Sequence, residues 1–278
     1  MKKEKKTHFF RTLFFILLLL AILIFLYGRY VETNNIFVNE YEIKNDKIPN
    51  SFNNFKIAHF SDILYKNKDD LERLKDVRKK INDKKVDMII FSGDLIKKDS
   101  NLSQKEIDKI TKELTEMKAK YGKYYVTGDN DNKNELYDSI MQTSGFMSIN
   151  NFFDMLYSEK NENMLLVGLD TKMDTSQLTN ILNENKSNYK ILVFHESDSF
   201  KEIKNYDINL VLSSNSLNGQ INIPEIKKIF LDKNSNEYYE PYYKIKSKDF
   251  YISNGIGNDK IDYRLLNNPS INIYVLKK

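Results

Sequence analysis

The sequence predicts an α/β fold built on parallel strands, and two observations lead to that prediction. The first is the segment VDMIIFSGDL, residues 86–95, in which an apolar run without alternation ends in Gly93 and Asp94. Such a run is typical of a strand buried on both faces, as in a parallel sheet. The second is that this arrangement recurs, with helical patterns between the copies, in residues 55–60, 123–126, 189–194 and 208–212. Strands that alternate with helices form parallel sheets through right-handed crossovers.

The helical segments are recognised by apolar residues spaced for one face. The clearest is residues 103–120, where Ser103 and Glu106 form a capping box and Gly122 follows as a stop signal. Three more helices are predicted at residues 69–82, 132–141 and 176–182.

The pattern changes after Gly219, where strand-like segments predominate. The pair Asn218-Gly219 is a typical hairpin turn and predicts an antiparallel strand on each side of it. Further strands are predicted at residues 37–43, 164–169, 242–245, 250–253 and 271–276, the first of them as an edge strand. A second sheet packed on the first would bury most of these segments.

Polar residues follow the apolar strands at corresponding places. These residues are Asp62, Asp94, Asp129, His195 and Asn215. Open α/β sheets bind ligands outside the carboxyl ends of their strands. A single polar residue there is an ordinary turn or cap, but five in register predict a shared site.

The strand-end sequences resemble those of the calcineurin-like metallophosphoesterases. The likeness is to their membrane-associated bacterial branch, which is similar to the diacylglucosamine-pyrophosphatase-like phosphodiesterases, and it covers residues 52–278. The family pattern is D-x-H, G-D, G-N-H-D, a lone H, and G-H-x-H. The chain has Ser61-Asp62-Ile63-Leu64, Gly93-Asp94, Gly128-Asp129-Asn130-Asp131, His195 and Ser214-Asn215-Ser216-Leu217. The resemblance implies a four-layer α/β/β/α sandwich, with two mixed sheets flanked by helices.

The resemblance also implies two metal ions about 3.5–4 Å apart, which clamp a phosphoryl group and activate water. The first ion would take the D-x-H pair, the bridging Asp and the last His. Here Asp62 and Asp94 remain, but Leu64 and Leu217 occupy the two histidine places. Leucine has no lone pair to donate, so this ion is not expected to bind.

The second ion would take the bridging Asp, the Asn of G-N-H-D, the lone His and the first His of G-H-x-H. Those places hold Asp94, Asp129, His195 and Asn215, all of which can ligate. Three oxygen donors and one imidazole suit Mn²⁺, Mg²⁺ or Ca²⁺ better than Zn²⁺. The sequence therefore predicts one divalent ion.

The catalytic positions differ from the family pattern. The general-acid histidine of G-N-H-D is Asn130 here, and a carboxamide does not shuttle protons at neutral pH. Asp62 or Asp131 would be left to orient a water molecule. Arg264 matches an arginine of the membrane branch that would bind phosphate through a forked hydrogen bond, and a surface ion pair is the alternative. His59, on the strand before Asp62, is expected to be packed rather than to bind metal.

The first 30 residues predict a membrane anchor. Four lysines precede an apolar run, residues 13–27, that residues 9–12 extend to about 19 residues, close to the length needed to span a bilayer. No small-residue cleavage site follows, so we expect an uncleaved signal anchor. Lysines stay in the cytoplasm, which puts the main domain outside the cell membrane. A linker, residues 31–51 with Pro49 near its end, leads to the phosphoesterase-like domain, residues 52–278.

The composition excludes several classes of protein. With 41% hydrophobic and 29% charged residues, the chain is globular rather than disordered. The net charge of +4 comes from interleaved acidic and basic residues, so nucleic-acid binding is not expected. No cysteine is present, which excludes disulfides, thiolate metal sites and cysteine nucleophiles. The oligomeric state and the substrate are left open.

Two hypotheses about function remain. The chain is either a phosphoesterase that hydrolyses a phosphate-containing small molecule or lipid with one metal ion, or a pseudoenzyme that uses the cleft to bind a lipid headgroup, a wall polymer or a protein. The histidine positions that hold other residues are 64, 130, 215 and 217. Their concentration in the cleft favours reduced or lost activity.

Overall fold

The computed structural model describes residues 2–98, 100–131, 135–172 and 174–278, which form twelve strands and seven α-helices. The helices are α1 Lys2–Leu26, α2 Lys68–Lys84, α3 Gln104–Thr115, α4 Glu135–Thr143, α5 Thr175–Glu184, α6 Phe200–Ile203 and α7 Pro224–Lys227. The strands are β1 Phe37–Lys44, β2 Lys56–Phe60, β3 Met88–Phe91, β4 Gly122–Tyr125, β5 Met147–Ser148, β6 Phe152–Tyr157, β7 Asn163–Gly168, β8 Lys190–Glu196, β9 Leu210–Ser214, β10 Tyr242–Ile245, β11 Lys248–Ile252 and β12 Ser270–Lys277.

The strands form two mixed six-stranded sheets. The first has the order β1-β12-β2-β3-β4-β5, and only the pair of β12 with β2 is antiparallel. The second has the order β10-β11-β9-β8-β7-β6, with antiparallel pairs at its two edges. The parallel strands β2, β3, β4, β8 and β9 are those that the apolar runs predict. Their carboxyl ends therefore carry the predicted site residues.

Side chains that alternate along the strands divide the core into three layers. On β3, Ile89 and Phe91 pack against α2, α3 and α4, while Met88 and Ile90 face the second sheet. The second sheet packs its other face against α5 and α6. Because both faces of each sheet are covered at its centre, the central strands β2, β3, β8 and β9 are buried along nearly their whole length. The predicted α/β/β/α sandwich is confirmed.

The segment predicted as a linker, residues 31–51, enters the first sheet. Its strand β1 pairs in parallel with β12 and is an edge strand, as its alternation predicts. Before it, a π-helical turn, Tyr27–Val31, and a 3₁₀ turn, Glu32–Asn34, connect it to α1. Within the described residues, one helix, at the N-terminus, is long and apolar enough to cross a membrane.

Helix α3 ends earlier than Gly122 predicts. Its capping box of Ser103 and Glu106 is present, but the helix stops at Thr115. The side chain of Asn82 on α2 donates to the carbonyl of Glu116 and accepts from the amide of Lys118. These bonds engage backbone groups that a longer helix would use itself.

The predicted hairpin at Asn218-Gly219 is wrong. The segment Leu217–Gly219 forms a 3₁₀ turn, and Ile221 makes only an isolated parallel bridge to Leu265. The side chain of Gln220 bonds to four backbone groups of residues 259–263, and that of Asn267 to the carbonyls of Leu217 and Asn218. These contacts hold the segment against the C-terminal loop instead of β9.

Two edge strands, β5 and β6, are not predicted from the sequence. Strand β5 has only two residues, and the apolar and acidic residues of β6 are half-exposed without clear alternation. The predicted helix at 132–141 begins in residues outside the described ones, and its described part is α4.

Candidate metal centre

The loops that follow the strands carry an unusual backbone. Five predicted site positions have positive φ, a region that costs energy for residues with a side chain. They are Asp62 (50°), Leu64 (48°), Asp94 (64°), Asn215 (70°) and Leu217 (46°). Such strain concentrates at functional sites, where the surrounding structure maintains it. Here it turns side chains from both sheets toward one cleft.

The imidazole of His195 lies at the centre of the site. Its Nε2 is 3.4 Å from Asp94 Oδ2, 3.5 Å from Asp129 Oδ1 and 4.0 Å from Asp62 Oδ1. Nε2 is buried and makes no hydrogen bond of ordinary geometry with the described residues. A buried, unpartnered nitrogen is costly unless a ligand completes it.

The other ring nitrogen fixes the tautomer of His195. Nδ1 lies 2.6 Å from the carbonyl oxygen of Ser92 and 2.9 Å from Oγ of Ser214. A carbonyl only accepts, so Nδ1 carries a proton, and Nε2, which faces the carboxylates, is the nitrogen that can bind a metal ion once it has lost its own proton. Metal-binding histidines are typically held in this way.

A chain of hydrogen bonds extends from this pair into the space between the sheets. Ser92 Oγ donates to Ser214 Oγ at 3.1 Å and lies 2.8 Å from Nε2 of His59. Nδ1 of His59 is 3.2 Å from the hydroxyl of Tyr274. Each hydrogen-bonding group in this chain has a partner when His59 is neutral and donates from Nε2 to Ser92 Oγ. His59 is thus packed in the core, as expected, and lies behind the metal centre.

Asp131 supports the backbone of the site. Its carboxylate accepts from the amides of Asp94 at 2.5 Å, Leu95 at 3.0 Å and Gly128 at 3.1 Å. With these oxygens engaged and the residue buried, Asp131 does not face the cleft. In this structure Asp131 therefore holds the turn that presents Asp94, and the role of orienting water stays a prediction.

Asn130 also contacts Asp94, at the position of the family's general acid. Its backbone amide donates to Asp94 Oδ1 at 2.9 Å, and its side chain to Oδ2 at 2.5 Å. The carboxamide lines the cleft as a fixed hydrogen-bond donor. It can orient Asp94, but a carboxamide does not exchange protons at neutral pH.

The charges of the site are strongly coupled. Burial, with repulsion from Asp94, raises the pKa of Asp62 to about 7 and that of Asp131 to about 8. Burial disfavours a charged His195, but the carboxylates around it prevail and hold its pKa well above the ordinary value. Contact with His195 lowers the pKa of Asp129. Excess negative charge around one imidazole is an arrangement that a bound cation would relieve.

The cleft has a volume of about 110 Å³. Its lining includes Asp62, Leu64, Asp94, Asp129, Asn130, Asn215, Leu217, Phe230, Asp232 and Asp259. The last three of these were not predicted. They lie in loops without the strand-end pattern, so no local sequence signal identifies them.

The donors present fit one metal ion. Asp62, Asp94 and His195 each offer one ligand atom, and these atoms lie within 4.8 Å of one another. Asp129 adds an oxygen beside Nε2 of His195. On the other side of the cleft, Leu64 and Leu217 offer none, so the residues do not fit the family's other ion.

Two predicted site residues take different places. Asn215 lines the cleft, and its amide is 3.5 Å from Oδ1 of Asp232. Arg264 is fully buried and does not line the cleft, so the prediction of a surface ion pair is wrong. Its guanidinium donates to the carbonyls of Asn254 and Gly257 and to the side chain of Asn258, which leaves it no free fork for phosphate.

Known proteins similar to this chain share the family that its motifs resemble. Residues 55–273 match the profile described as calcineurin-like phosphoesterase. The chain is 30% identical over 262 residues to the metallophosphoesterase YkuE of Bacillus subtilis, which covers 90% of this chain and 89% of YkuE. It is 25% identical over 276 residues to the metallophosphoesterase YkoQ of the same organism, with 94% and 99% covered.

A solved structure supports the fold. The chain is similar to the NAD nucleotidase of Haemophilus influenzae with a TM-score of 0.50 and 15% identity, over 73% of this chain and 45% of that one. The chain thus spans less than half of the nucleotidase, and at this identity the similarity concerns the fold alone.

Proposed function

Since the chain belongs to the calcineurin-like phosphoesterase family, we propose that it is a membrane-anchored phosphoesterase that uses one divalent metal ion. Asp62, Asp94, Asp129 and His195 would hold the ion, with Asn215 at the rim. The ion would supply Lewis-acid polarisation of a phosphoryl oxygen.

The observation that carries this proposal is the buried, unpartnered Nε2 of His195 among three carboxylates. Asp62 and Asp94 are buried and Asp129 is partly exposed, and burying charged groups is expensive unless a cation compensates them. The hydrogen bonds from Nδ1 of His195 to the carbonyl of Ser92 and from Asn130 to Asp94 hold both ligands in position without metal. This preorganisation is typical of a binding site rather than of a relic.

Other side chains of the cleft would position the ligands and the attacking water. Asn130 and Asp131 orient Asp94, one from the side chain and one from the backbone of its turn. Asp62, which lines the cleft and is the carboxylate farthest from Nε2 of His195, would orient an attacking water by accepting a hydrogen bond from it. The apolar Leu64 and Leu217 exclude water from the other side of the cleft.

The membrane anchor is α1, which exposes its apolar side chains over residues 9–26. The lysines before it favour a cytoplasmic N-terminus, which places the domain on the outer side of the cell membrane. A protease-protection assay on cells that express a C-terminally tagged chain tests this topology. Protection of the tag in intact cells would contradict it.

The experiment that tests the metal site is calorimetric titration of the detergent-solubilised full chain with Mn²⁺. We expect one ion per chain, and loss of binding in Asp94→Asn. The control Asp207→Asn removes an equal charge from an exposed ion pair away from the cleft and should retain binding. Absence of binding in the unaltered chain would refute the proposal.

Hydrolysis is tested separately with a bis-aryl phosphodiester. With Mn²⁺ the unaltered chain should release the aryl alcohol, and Asp94→Asn should not. Loss of one ion and of the histidine acid can each cost orders of magnitude, and 10³-fold is about 4 kcal/mol of barrier. Slow turnover is therefore expected, and equal rates in the two proteins would refute catalysis by this site.

A second candidate function is binding without hydrolysis. It is favoured by Leu64 and Leu217 in the cleft and by the side chain of Asn130, which is committed to Asp94. This alternative predicts that Mn²⁺ binds but that no phosphodiester is turned over. The two experiments above therefore separate the candidates.

A further inference from the structure

The end of α1 is fixed to the domain beside the cleft. Gly28 packs so closely on Tyr263 that a Cβ at this position would lie 2.5 Å from the ring, and the ring stacks on Phe25 with centroids 5.8 Å apart. Four residues after Gly28, the buried side chain of Glu32 accepts from the amide of Asn267 at 2.6 Å. The direction in which α1 leaves the domain is therefore set by the loop of residues 258–268.

That loop also borders the cleft. Its Asp259 lines the cleft, and its Asp262 forms ion pairs with Lys66, two residues after the cleft residue Leu64, and with Arg29 at the end of α1. One short loop thus connects the membrane helix to the metal centre. The cleft and the membrane surface must lie on the same side of the domain.

Exposed apolar residues surround this junction. Ile229 is 68% exposed, Leu266 66% and Ile261 38%. Tyr30, at the end of α1, is 62% exposed. Large apolar side chains with this exposure cost hydration free energy in water, and a cluster of them marks an interaction surface.

Lysines accompany the isoleucines in both loops that form the rim of the cleft. Lys228 precedes Ile229 on one loop, and Lys260 precedes Ile261 on the other, and both lysines are exposed. Lys260 Nζ also donates to the carbonyl of Leu231 at 2.6 Å, which joins the two loops. An apolar side chain that enters the acyl region beside a lysine that meets headgroup phosphates is the pattern of interfacial membrane binding.

We propose that residues 228–231 and 259–266, which we call the rim loops, dock on the bilayer that α1 crosses and present the metal cleft to its surface. The occupant is the bilayer because the end of α1 packs against the same loop, so the membrane that α1 would enter begins beside the rim loops. The substrate class that follows is a phosphate ester in the headgroup of a membrane lipid. This assignment of substrate rests on the proposed function, whereas the docking itself does not.

Tryptophan fluorescence tests the docking. The chain contains no tryptophan, so a single substitution gives an unambiguous signal. Ile229→Trp and Leu266→Trp are prepared in the full chain, reconstituted into vesicles of phosphatidylglycerol and phosphatidylcholine with or without brominated acyl chains. Residues 5–10 Å into the interface contact the bromines, so we expect emission to fall to about half or less at both positions.

The matched control is Phe152→Trp on the edge strand β6 of the second sheet. Phe152 is 57% exposed, comparable to the rim positions, but lies outside the rim loops. Its emission should be the same in both kinds of vesicle. Equal quenching at 152 and 229, or none at 229 and 266, would overturn the proposal. A variant that misfolds is identified by loss of the cooperative thermal transition, and the other rim position then decides.

The substrate class is tested in the same vesicles by release of the lipid headgroup, as its alcohol or its phosphate ester, when the phosphodiester is hydrolysed in the presence of Mn²⁺. We expect Ile229→Asp to reduce release from vesicles at least tenfold, because a charge opposes docking. Quenching without any turnover would leave docking intact and refute the phosphoesterase activity. Turnover of the soluble diester without quenching would leave the phosphoesterase activity intact and refute the docking. Equal release from vesicles by the unaltered chain and by Ile229→Asp would overturn the lipid assignment.

Discussion

The carbonyl oxygen of Ser92 accepts the Nδ1 proton of His195 at 2.6 Å, across the boundary between the two sheets. Ser92 follows β3 of the first sheet, and His195 belongs to β8 of the second. The orientation of the central ligand therefore depends on how the sheets pack. Through Ser92 Oγ that dependence extends to His59, which lies in neither the cleft nor its lining.

We predict that His59→Phe weakens metal binding as well as stability. The change leaves Ser92 Oγ without its 2.8 Å partner and the hydroxyl of Tyr274 without its 3.2 Å partner. Each hydroxyl keeps one other partner, Ser214 for Ser92 and Asn272 for Tyr274, so stability should fall by about 1 kcal/mol per lost hydrogen bond. Loss of a group that holds a metal-binding histidine in place typically costs about 10–100-fold in metal affinity. Urea unfolding and Mn²⁺ calorimetry on the full chain in detergent measure the two effects.

A purely structural role for His59 gives a different result. In that case His59→Phe would unfold more easily, yet the folded fraction would bind Mn²⁺ as tightly as before. His59→Gln, which can keep one hydrogen bond to Ser92, should fall between the two proteins in affinity.

The stability of the protein should also depend on pH through His59. Burial lowers the pKa of this side chain from 6.5 to about 3. Below pH 6.5 the unfolded chain takes up a proton that the folded chain refuses, so stability is lost as the pH falls through this window. Between pH 7.5 and pH 5 this titration should lower the free energy of unfolding by about 2 kcal/mol.

Urea unfolding at several pH values tests this dependence. Between pH 5 and 6.5 the free energy of unfolding should rise less steeply with pH in His59→Gln, because this protein has one titrating group fewer. His8→Gln is the matched control, because His8 is exposed, and it should keep the slope of the unaltered chain. Parallel curves for all three proteins would contradict the prediction.

The five parallel strands and the convergence of Asp62, Asp94, Asp129 and His195 could be predicted because apolar runs and strand ends are local signals. The turn at Asn218 could not, since side chains from residues 259–267 decide it. The role of Asp131 was missed for a similar reason. Its sequence position matches a catalytic motif, but the amides of Asp94 and Leu95, distant in sequence, donate hydrogen bonds to its carboxylate.

Gly128 is predicted to be required for the metal site through its lack of a side chain. A Cβ at this position would collide with the carboxylate of Asp94 and lie 2.7 Å from its backbone nitrogen. Gly128→Ala must therefore displace a ligand, and we expect Mn²⁺ affinity to fall by at least tenfold. Calorimetry measures the affinity, and the thermal midpoint reports folding.

Gly28→Ala provides the contrast. Its Cβ would lie 2.6 Å from the carbonyl oxygen of Arg264 and would disturb the junction with α1 instead. This variant should be less stable but should bind Mn²⁺ normally. Loss of affinity in Gly28→Ala, or normal affinity in Gly128→Ala, would show that the steric argument is wrong.

The backbone at Leu64 and Leu217 retains a conformation that leucine does not need. Their φ values of 48° and 46° resemble the 50° of the neighbouring ligand Asp62. Each left-handed residue costs about 1–2 kcal/mol. Leucine gains nothing from that strain as a ligand, although both side chains line the cleft. Both loops therefore place a side chain that cannot bind metal in the cleft, from a strained backbone conformation.

The double variant Leu64→His/Leu217→His should consequently bind two ions instead of one. The new imidazoles would start from backbone positions already directed into the cleft, beside Asp62 and Asp94, so no loop needs to rearrange. Calorimetric stoichiometry with Mn²⁺ measures the change, and phosphodiester turnover should rise if the missing ion limits the rate. Phe152→His/Tyr157→His adds the same two imidazoles on β6, away from the cleft, and should leave the stoichiometry at one. A stoichiometry of one in the cleft variant would mean that the loops have lost the geometry of the second site along with its ligands.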